Sequence, residues 1–406
     1  LQKQTASQAM IDQLPTNYYL KAAKIFTEQG ILANHYLLIE QGKIAALEST
    51  VSQALPVFDL GDHHIMPGLL DLHIHGRDGC DIMDAKLASI TTISRSLAKH
   101  GVVGFLGTTV TSTWQNTLAA FRCLGQAYQN QPDGALLLGA YNEGLFFTKD
   151  HKGAHDEQYF LPLTQDNVDA IINAAQGALK VVALAPELDN SSDIIRYLNS
   201  KGIRTMLGHT SANYQQTCDA LHAGACGGVH VFNGMSGIHH REPGCAGAVL
   251  LNERAYVEVI ADGVHLHPAI LQLIYRLKGA KNMGLISDCI NAGGLTDGKY
   301  RLGMLDVDVT NGIARTNSGA LAGSTLTLEK AVANLIKLAD IPVLDAIHAA
   351  SLRPAEFLGV DHELGSIKAG KRACLAIVDS DFNVQATLID GRLAFTDLPM
   401  PFTLSQ

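Results

Sequence analysis

Cysteine is scarce in this chain and poorly spaced for metal or redox work. Its seven cysteines include no Cys-x-x-Cys pair, and an odd count argues against a closed disulfide framework. A reduced, cytosolic setting is the expectation. No uninterrupted apolar run approaches the ~20 residues of a membrane span. Basic residues are also short: 30 Lys and Arg against 39 Asp and Glu leave a net charge of −9. That sign excludes nonspecific nucleic-acid binding, which needs a basic surface. An anionic substrate must instead be met by a local cluster of cations. What is present, 47 % apolar and 17 % charged residues over 406 positions, suits a globular enzyme with one large barrel and a smaller accessory domain. The polar, Gln-rich start over residues 1–17 lacks the basic-then-apolar layout of a signal peptide and reads as a mobile or appended lead-in.

The two ends of the chain share a pattern. Tyr36-Leu-Leu-Ile-Glu and Gly42-Lys-Ile-Ala-Ala-Leu flank a Gln41-Gly42 turn, and Val384-Gln-Ala-Thr-Leu-Ile meets Arg392-Leu-Ala-Phe across Asp390-Gly391. Both read as hairpins. An isolated hairpin is marginal in water, so pairing the ends into one small β-sandwich, residues 1–66 with 366–406, is the physically sensible arrangement. Over 67–365 strand-like and helix-like segments alternate, which predicts an α/β fold with a parallel sheet. Eight buried, strand-like runs begin near 68, 102, 136, 181, 205, 227, 257 and 283. Helices are punctuated by Thr164, Ser211 and Pro268 at their starts and by Gly101, Gly177, Gly224 and Gly279 at their ends. The count predicts a (β/α)8 barrel, whose C-terminal strand ends converge on one face.

Six of those runs end on a metal-ligand type of residue or an acid: His73 and His75, Glu143, His209, His230, Asp262 and Asp288. Residues i and i+2 share a side of a strand, so both imidazoles of His73-x-His75 can face the barrel axis. Taken singly, each histidine reads as a satisfied core or loop residue, and Glu143 as a loop ion pair. Four histidines and a glutamate at equivalent strand ends make coincidence the poorer explanation. They are the donors a catalytic divalent ion needs. Asp288, closing the eighth run, can serve as general base and then general acid beside a metal-activated water, or can merely orient a neighbour.

The ordered segments Pro67-Gly-Leu-Leu-Asp-Leu-His-Ile-His-Gly, Glu143-Gly, Lys152-Gly-Ala-His155, Gly208-His-Thr, His230-Val-Phe-Asn-Gly-Met, Arg241-Glu-Pro-Gly, Ala261-Asp-Gly-Val-His265, Ser287-Asp and Leu321-Ala-Gly-Ser324 resemble the N-acetylglucosamine-6-phosphate deacetylase family of the amidohydrolase superfamily, from about Tyr18 onward. The resemblance implies that Glu143, His209 and His230 hold the main ion, with Asp288 as catalytic acid/base. Zinc is the expected ion; Fe2+, Mn2+ and Co2+ are substitutes. It implies that Ala154 and His155 meet the substrate, His155 polarising the acetamide carbonyl. Asn233 and Gly234 would bind the sugar, Arg241 and His265 the 6-phosphate, and Leu321, Ala322, Gly323 and Ser324 would close over the site. His73 and His75 permit a second ion. Phosphate contacts across a homodimer are also implied, with neither nucleic acid nor membrane as partner. The tip of the fourth run, Ala183-Leu-Ala-Pro-Glu187, carries no lysine of the kind that bridges two ions in related hydrolases, and Glu143 is the natural substitute.

The chain departs from the family in Tyr141-Asn-Glu-Gly-Leu-Phe, where His-Leu-Glu-Gly-Pro-Phe is usual, in Cys-Ile-Asn-Ala-Gly-Gly after Asp288, and in Gly234, where Ala is frequent. These segments line the sugar pocket, so N-acetylgalactosamine 6-phosphate stands beside N-acetylglucosamine 6-phosphate as substrate. Rival readings are a D-aminoacylase or cyclic-amide hydrolase, and a noncatalytic scaffold. Arg241 offers a planar fork suited to phosphate, but its spacing equally allows a surface ion pair with Glu242. His267, His239 and His240 read as polar decoration, and Cys80, Cys245 and Cys289 as packing.

Overall fold

Both ends of the chain meet in one sheet. The computed structural model describes residues 14–398. Asn17–Phe26, Ile31–Glu40, Lys43–Glu48, Val57–Asp59 and His64–Pro67 join Leu375–Val378, Val384–Ile389 and Arg392–Thr396 in an eight-stranded mixed sheet. Both expected hairpins form, Glu40 pairing with Lys43 and Ile389 with Arg392. Alternate residues supply the apolar core of this small sandwich, among them Tyr18, Leu20, Leu37, Ile39, Ile65, Leu375 and Leu388. Residues 1–13 of the expected lead-in lie outside the described residues, and the first strand already begins at Asn17.

The second eight-stranded sheet is parallel throughout and runs in chain order. Its strands are β1 (Leu69–Ile74), β2 (Val102–Thr108), β3 (Leu136–Asn142), β4 (Leu179–Leu184), β5 (Arg204–Leu207), β6 (Gly227–Gly228), β7 (Tyr256–Val259) and β8 (Met283–Leu285). These are the eight runs expected from sequence. The ring closes just beyond the strand ends, where Asp288 N–H donates to His73 O and His75 N–H to Cys289 O, each at 2.9 Å. Leu70, Leu72, Val103, Tyr141, Met206 and Tyr256 fill the interior, while the opposite faces pack on the surrounding helices. A glycine at 227 is a steric demand, because a Cβ there would lie 1.7 Å from Tyr256 O.

Thr164 accepts from Asn167 N–H at the head of Gln165–Ala175, and Pro268 opens Pro268–Lys278. One expected cap is corrected. Asn213, rather than Ser211, caps Tyr214–Ala223, because Asn213 and Gln216 satisfy each other's backbone N–H in a capping box. Ser211 N–H instead donates to Glu187. A three-stranded antiparallel sheet after β8 (Gly298–Leu302, Leu305–Thr310, Ile313–Thr316) interrupts the expected alternation. Among the described residues no helix is long and apolar enough to cross a membrane.

Candidate metal centre and active site

The parallel barrel brings its C-terminal strand ends to one face, and the histidines and acids singled out from sequence arrive there together. His73 and His75 leave the end of β1, Glu143 follows β3, His209 follows β5, His230 follows β6 and Asp288 follows β8; all are buried. Three of them sit on backbone turned into the left-handed region, with φ of 49° at His209, 24° at His230 and 49° at Asp288. For residues with a Cβ that conformation costs energy and persists where surrounding structure enforces it. Here it ends each strand and swings the side chain inward. Gly234 makes room for one of them: with φ of 56°, its Cβ would fall 2.8 Å from His209 Nδ1. The departure from Ala at this position has a steric counterpart.

The imidazoles divide by what holds Nδ1. In four of them it faces an acceptor: Glu258 Oε2 for His73 (3.0 Å), Thr108 O for His75 (3.2 Å), His151 O for His209 (3.1 Å) and Asn233 O for His230 (3.1 Å). In the neutral ring Nδ1 therefore carries the proton, and the Nε2 lone pair is left for a metal. His155 is the opposite. Its Nδ1 accepts from Thr111 N–H at 3.4 Å and lies 2.7 Å from Thr111 Oγ1. Because Thr111 Oγ1 itself accepts from Leu145 N–H, its own hydrogen is free to complete that bond. His155 Nε2 then bears a hydrogen and is a donor.

All these Nε2 atoms converge on two carboxylates. His209 and His230 reach Glu143 Oε1 at 3.2 and 3.0 Å, while His75 and His155 reach Oε2 at 3.2 and 3.6 Å. His75 Nε2 also lies 3.1 Å from Asp288 Oδ1, and His73 Nε2 3.6 Å from it. Three groups, His73–His75–Asp288, His73–Glu143–His230 and Glu143–His155–His209, hold their ligand atoms within 4.8 Å of one another. His73 Nε2 is buried without a hydrogen-bond partner. So many converging lone pairs and two anions away from water are costly unless a cation collects them. The donor set fits a divalent ion.

Titration of the metal-free cluster reflects the crowding. Burial opposes charge on His75, but hydrogen bonds with Asp288 and Glu143 outweigh it and push its pKa up to about 9. Burial likewise works against an ionised Asp288, yet the His75 hydrogen bond and the charges of His73 and His75 hold it at about 2. Burial and the neighbouring His155 lower His209 to about 4.

A model described as the amidohydrolase family matches residues 64–394. The chain belongs to the amidohydrolase family. It is 45 % identical over 366 residues, 89 % of this chain and 91 % of the other, to the N-acetylglucosamine-6-phosphate deacetylase of Vibrio furnissii. It is 42 % identical over 377 residues to the N-acetylgalactosamine-6-phosphate deacetylase of Escherichia coli O157:H7, covering 93 % of this chain and 99 % of that one. A mutant N-acetyl-D-glucosamine-6-phosphate deacetylase from Mycobacterium smegmatis, solved with N-acetyl-D-glucosamine-6-phosphate, superposes with a TM-score of 0.90 at 30 % identity, over 94 % of this chain and 100 % of that one.

In this amidohydrolase the strand-end cluster opens into a cavity of about 210 Å³. Ala154, His155, Asn233, Gly234, His265, Leu321 and Gly323, singled out from sequence, line it. Ala322 and Ser324 lie behind that wall: Ala322 packs with Val110 and Leu302, and Ser324 N–H donates to Asp288 O at 2.7 Å. Arg241 is outside. Its exposed guanidinium lies 2.6 Å from His240 Nε2 and makes no ion pair with Glu242, whose Oε1 accepts from Tyr214 and Gly244 N–H. Asp262 is not part of the metal cluster either; it accepts from His265 Nδ1 at 2.7 Å and from two backbone N–H groups of its own turn. His267 caps a helix through Ala269 N–H.

Sequence reasoning passed over Thr111, Glu258 and Leu302. Thr111 holds His155 and Leu302 lines the cavity from the inserted sheet. Glu258 carried a readable signal, a charge within the apolar strand Tyr-Val-Glu-Val. A larger cavity, about 800 Å³, opens where β5 and β7 begin, beside Arg204 and Tyr256 at the opposite end of the barrel, and no metal-ligand cluster of the described residues lies there.

Proposed function

We propose that this amidohydrolase removes the N-acetyl group of an N-acetylhexosamine 6-phosphate, N-acetylglucosamine 6-phosphate first, to give the amino-sugar phosphate and acetate. The observation that carries the reading is the division of the imidazoles, four offering Nε2 lone pairs and one offering Nε2–H around the same two carboxylates. Glu143, His209 and His230 would hold the ion, zinc by donor type, and His73 with His75 would hold a second. When bound, such an ion polarises a carbonyl and lowers the pKa of water from about 16 toward about 7.

The chain's own groups do the rest. Asp288 is ionised at neutral pH, so Oδ1 takes the proton of the attacking water and later delivers it to the leaving amine. His155, clamped by Thr111, presents Nε2–H to the oxygen on which charge develops. Burial of the cluster keeps bulk water from competing for these bonds. His265 at the cavity wall and Arg241 would bind the 6-phosphate. Since Arg241 is absent from its own chain's cavity, it would act in the neighbouring site of a homodimer. The division into 1–66 with 366–406 and 67–365 belongs to the same proposal, as does a reduced setting for the seven free cysteines.

N-Acetylgalactosamine 6-phosphate is the second reading, favoured by the 42 % identical relative named N-acetylgalactosamine-6-phosphate deacetylase. The test is acetate release by metal-reconstituted protein from both epimeric 6-phosphates and from their unphosphorylated sugars. The proposal expects turnover of one or both phosphates and little of the free sugars. Equal activity without the phosphate would point to another amide, and no acetate from any of them would end the reading.

A further inference from the structure

Glu258 is a buried acid of the barrel strands that the chemistry above leaves without a task. It sits on β7, wholly buried, and its Oε2 is shared by two parts of the metal centre. His73 Nδ1 lies 3.0 Å from it and His230 N–H donates to it at 3.4 Å. One carboxylate oxygen thus spans from the side chain that leaves β1 to the backbone that follows β6, at the residue whose φ is 24°. Neither the other oxygen, Oε1, nor the buried hydroxyl of Tyr141 makes a hydrogen bond of good geometry, yet the two groups are neighbours: burial and the charge of Glu258 hold the Tyr141 phenol well above its ordinary pKa. The Tyr141 ring is 4.8 Å from the His73 ring, so the imidazole is caught between a carboxylate at Nδ1 and an aromatic wall. A carboxylate this deep with only one of its oxygens bonded is expensive. Its retention calls for a task that an apolar residue cannot perform.

We propose that Glu258 is the positioning residue for His73. It fixes the Nδ1–H tautomer, aims Nε2 at the metal centre, and ties that aim to the backbone of His230. The inference rests on the reading that His73 is a metal ligand, and it deepens that reading by naming what makes His73 one. Tyr141 completes the pocket: it closes the side of His73 that water would otherwise approach.

The experiment uses full-length protein loaded with zinc. Bound zinc and its affinity are measured by competition with a chromophoric chelator, and the tautomer of His73 is read from the imidazole 15N shifts of the zinc-loaded protein. Glu258→Leu should lose the Nδ1–H signature of His73 and weaken the zinc held by that histidine about 10–100-fold, the usual cost of removing a ligand's outer partner. Glu258→Gln, whose amide oxygen still accepts from Nδ1–H, should retain the tautomer and recover much of the affinity. A merely structural role predicts no tautomer change in either variant. The proposal is overturned if Glu258→Leu keeps the wild-type tautomer and both affinities. His73→Ala separates the two ideas: unchanged zinc binding by that variant removes His73 from the ligand set, whereas the tautomer comparison still decides whether Glu258 orients it.

Discussion

Glu143 and Asp288 are joined through one imidazole: His75 Nε2 lies 3.2 Å from Glu143 Oε2 and 3.1 Å from Asp288 Oδ1. The acid that ends β8 is therefore a neighbour of the carboxylate that gathers His209 and His230, not a remote participant. That contact predicts a separation of effects. Asp288→Asn removes the proton acceptor but leaves Glu143, His209 and His230 untouched. Turnover should fall about 10²–10⁴-fold, the range for a positioned acid/base, while metal content measured by elemental analysis stays at the wild-type level. Near-normal turnover would take Asp288 out of the reaction.

Metal uptake should be proton-linked. In the metal-free protein the His75 pKa is raised to about 9 by Asp288 and Glu143 despite burial, so at pH 7 its Nε2 carries a proton that an ion must displace. Zinc affinity should accordingly rise with pH until about 9, roughly tenfold per unit for each proton displaced. The sign for the empty protein is the reverse. A raised imidazole pKa contributes stability that is complete below its ordinary value of 6.5 and is lost as pH rises through about 9. Calorimetric titration with zinc in two buffers of different ionisation enthalpy measures the protons released; none released at pH 7 would contradict a protonated His75.

Thr111 decides which nitrogen of His155 holds the hydrogen. Thr111→Val removes the hydroxyl that sits 2.7 Å from Nδ1 while preserving side-chain shape. His155→Ala removes the donor outright and should cost about 10²–10³ in kcat, as loss of one oxyanion donor does. Thr111→Val should show a smaller loss in the same parameter, with KM for the sugar phosphate little changed. A loss confined to KM would make His155 a binding residue only.

The barrel was legible because buried parallel strands read as continuous apolar runs, and eight of them ended where the sheet ends. Glu143, His209, His230 and Asp288 were legible for the same reason, since a strand end fixes where the next side chain points. The partners of Thr111 and Glu258 were not, although the charge of Glu258 within an apolar strand stood out. Each acts through another side chain, and the distance of Glu258 from His73 along the chain, 185 positions, leaves no local spacing to read. Asp262 misled because its position resembled the others, yet its carboxylate is taken up by His265 Nδ1 and two backbone N–H groups of its own turn. The inserted sheet after β8 escaped notice because its short alternating strands look like loop between turn residues.

Arg241 yields the prediction that tests the assembly. Its guanidinium is exposed and lines no part of its own chain's cavity, although an anionic substrate needs a cation somewhere near His265. In the proposed homodimer, two-fold symmetry would make the Arg241 contacts reciprocal, each copy's arginine serving the site of the other. Arg241→Ala should then raise KM for the 6-phosphate far more than it lowers kcat, since it removes binding shared by ground and transition states. Asp288→Asn has the complementary defect, an intact arginine beside a silent site. Mixed and re-equilibrated in equal amounts, the two variants form hybrids in which one site combines native Asp288 with native Arg241. Random pairing makes half of all dimers hybrid, so about a quarter of the sites should work normally. Steady-state kinetics of the mixture at low substrate should show that recovery, whereas neither variant alone can. Activity no greater than the sum of the separate variants would place the phosphate cations within a single chain and remove Arg241 from the site.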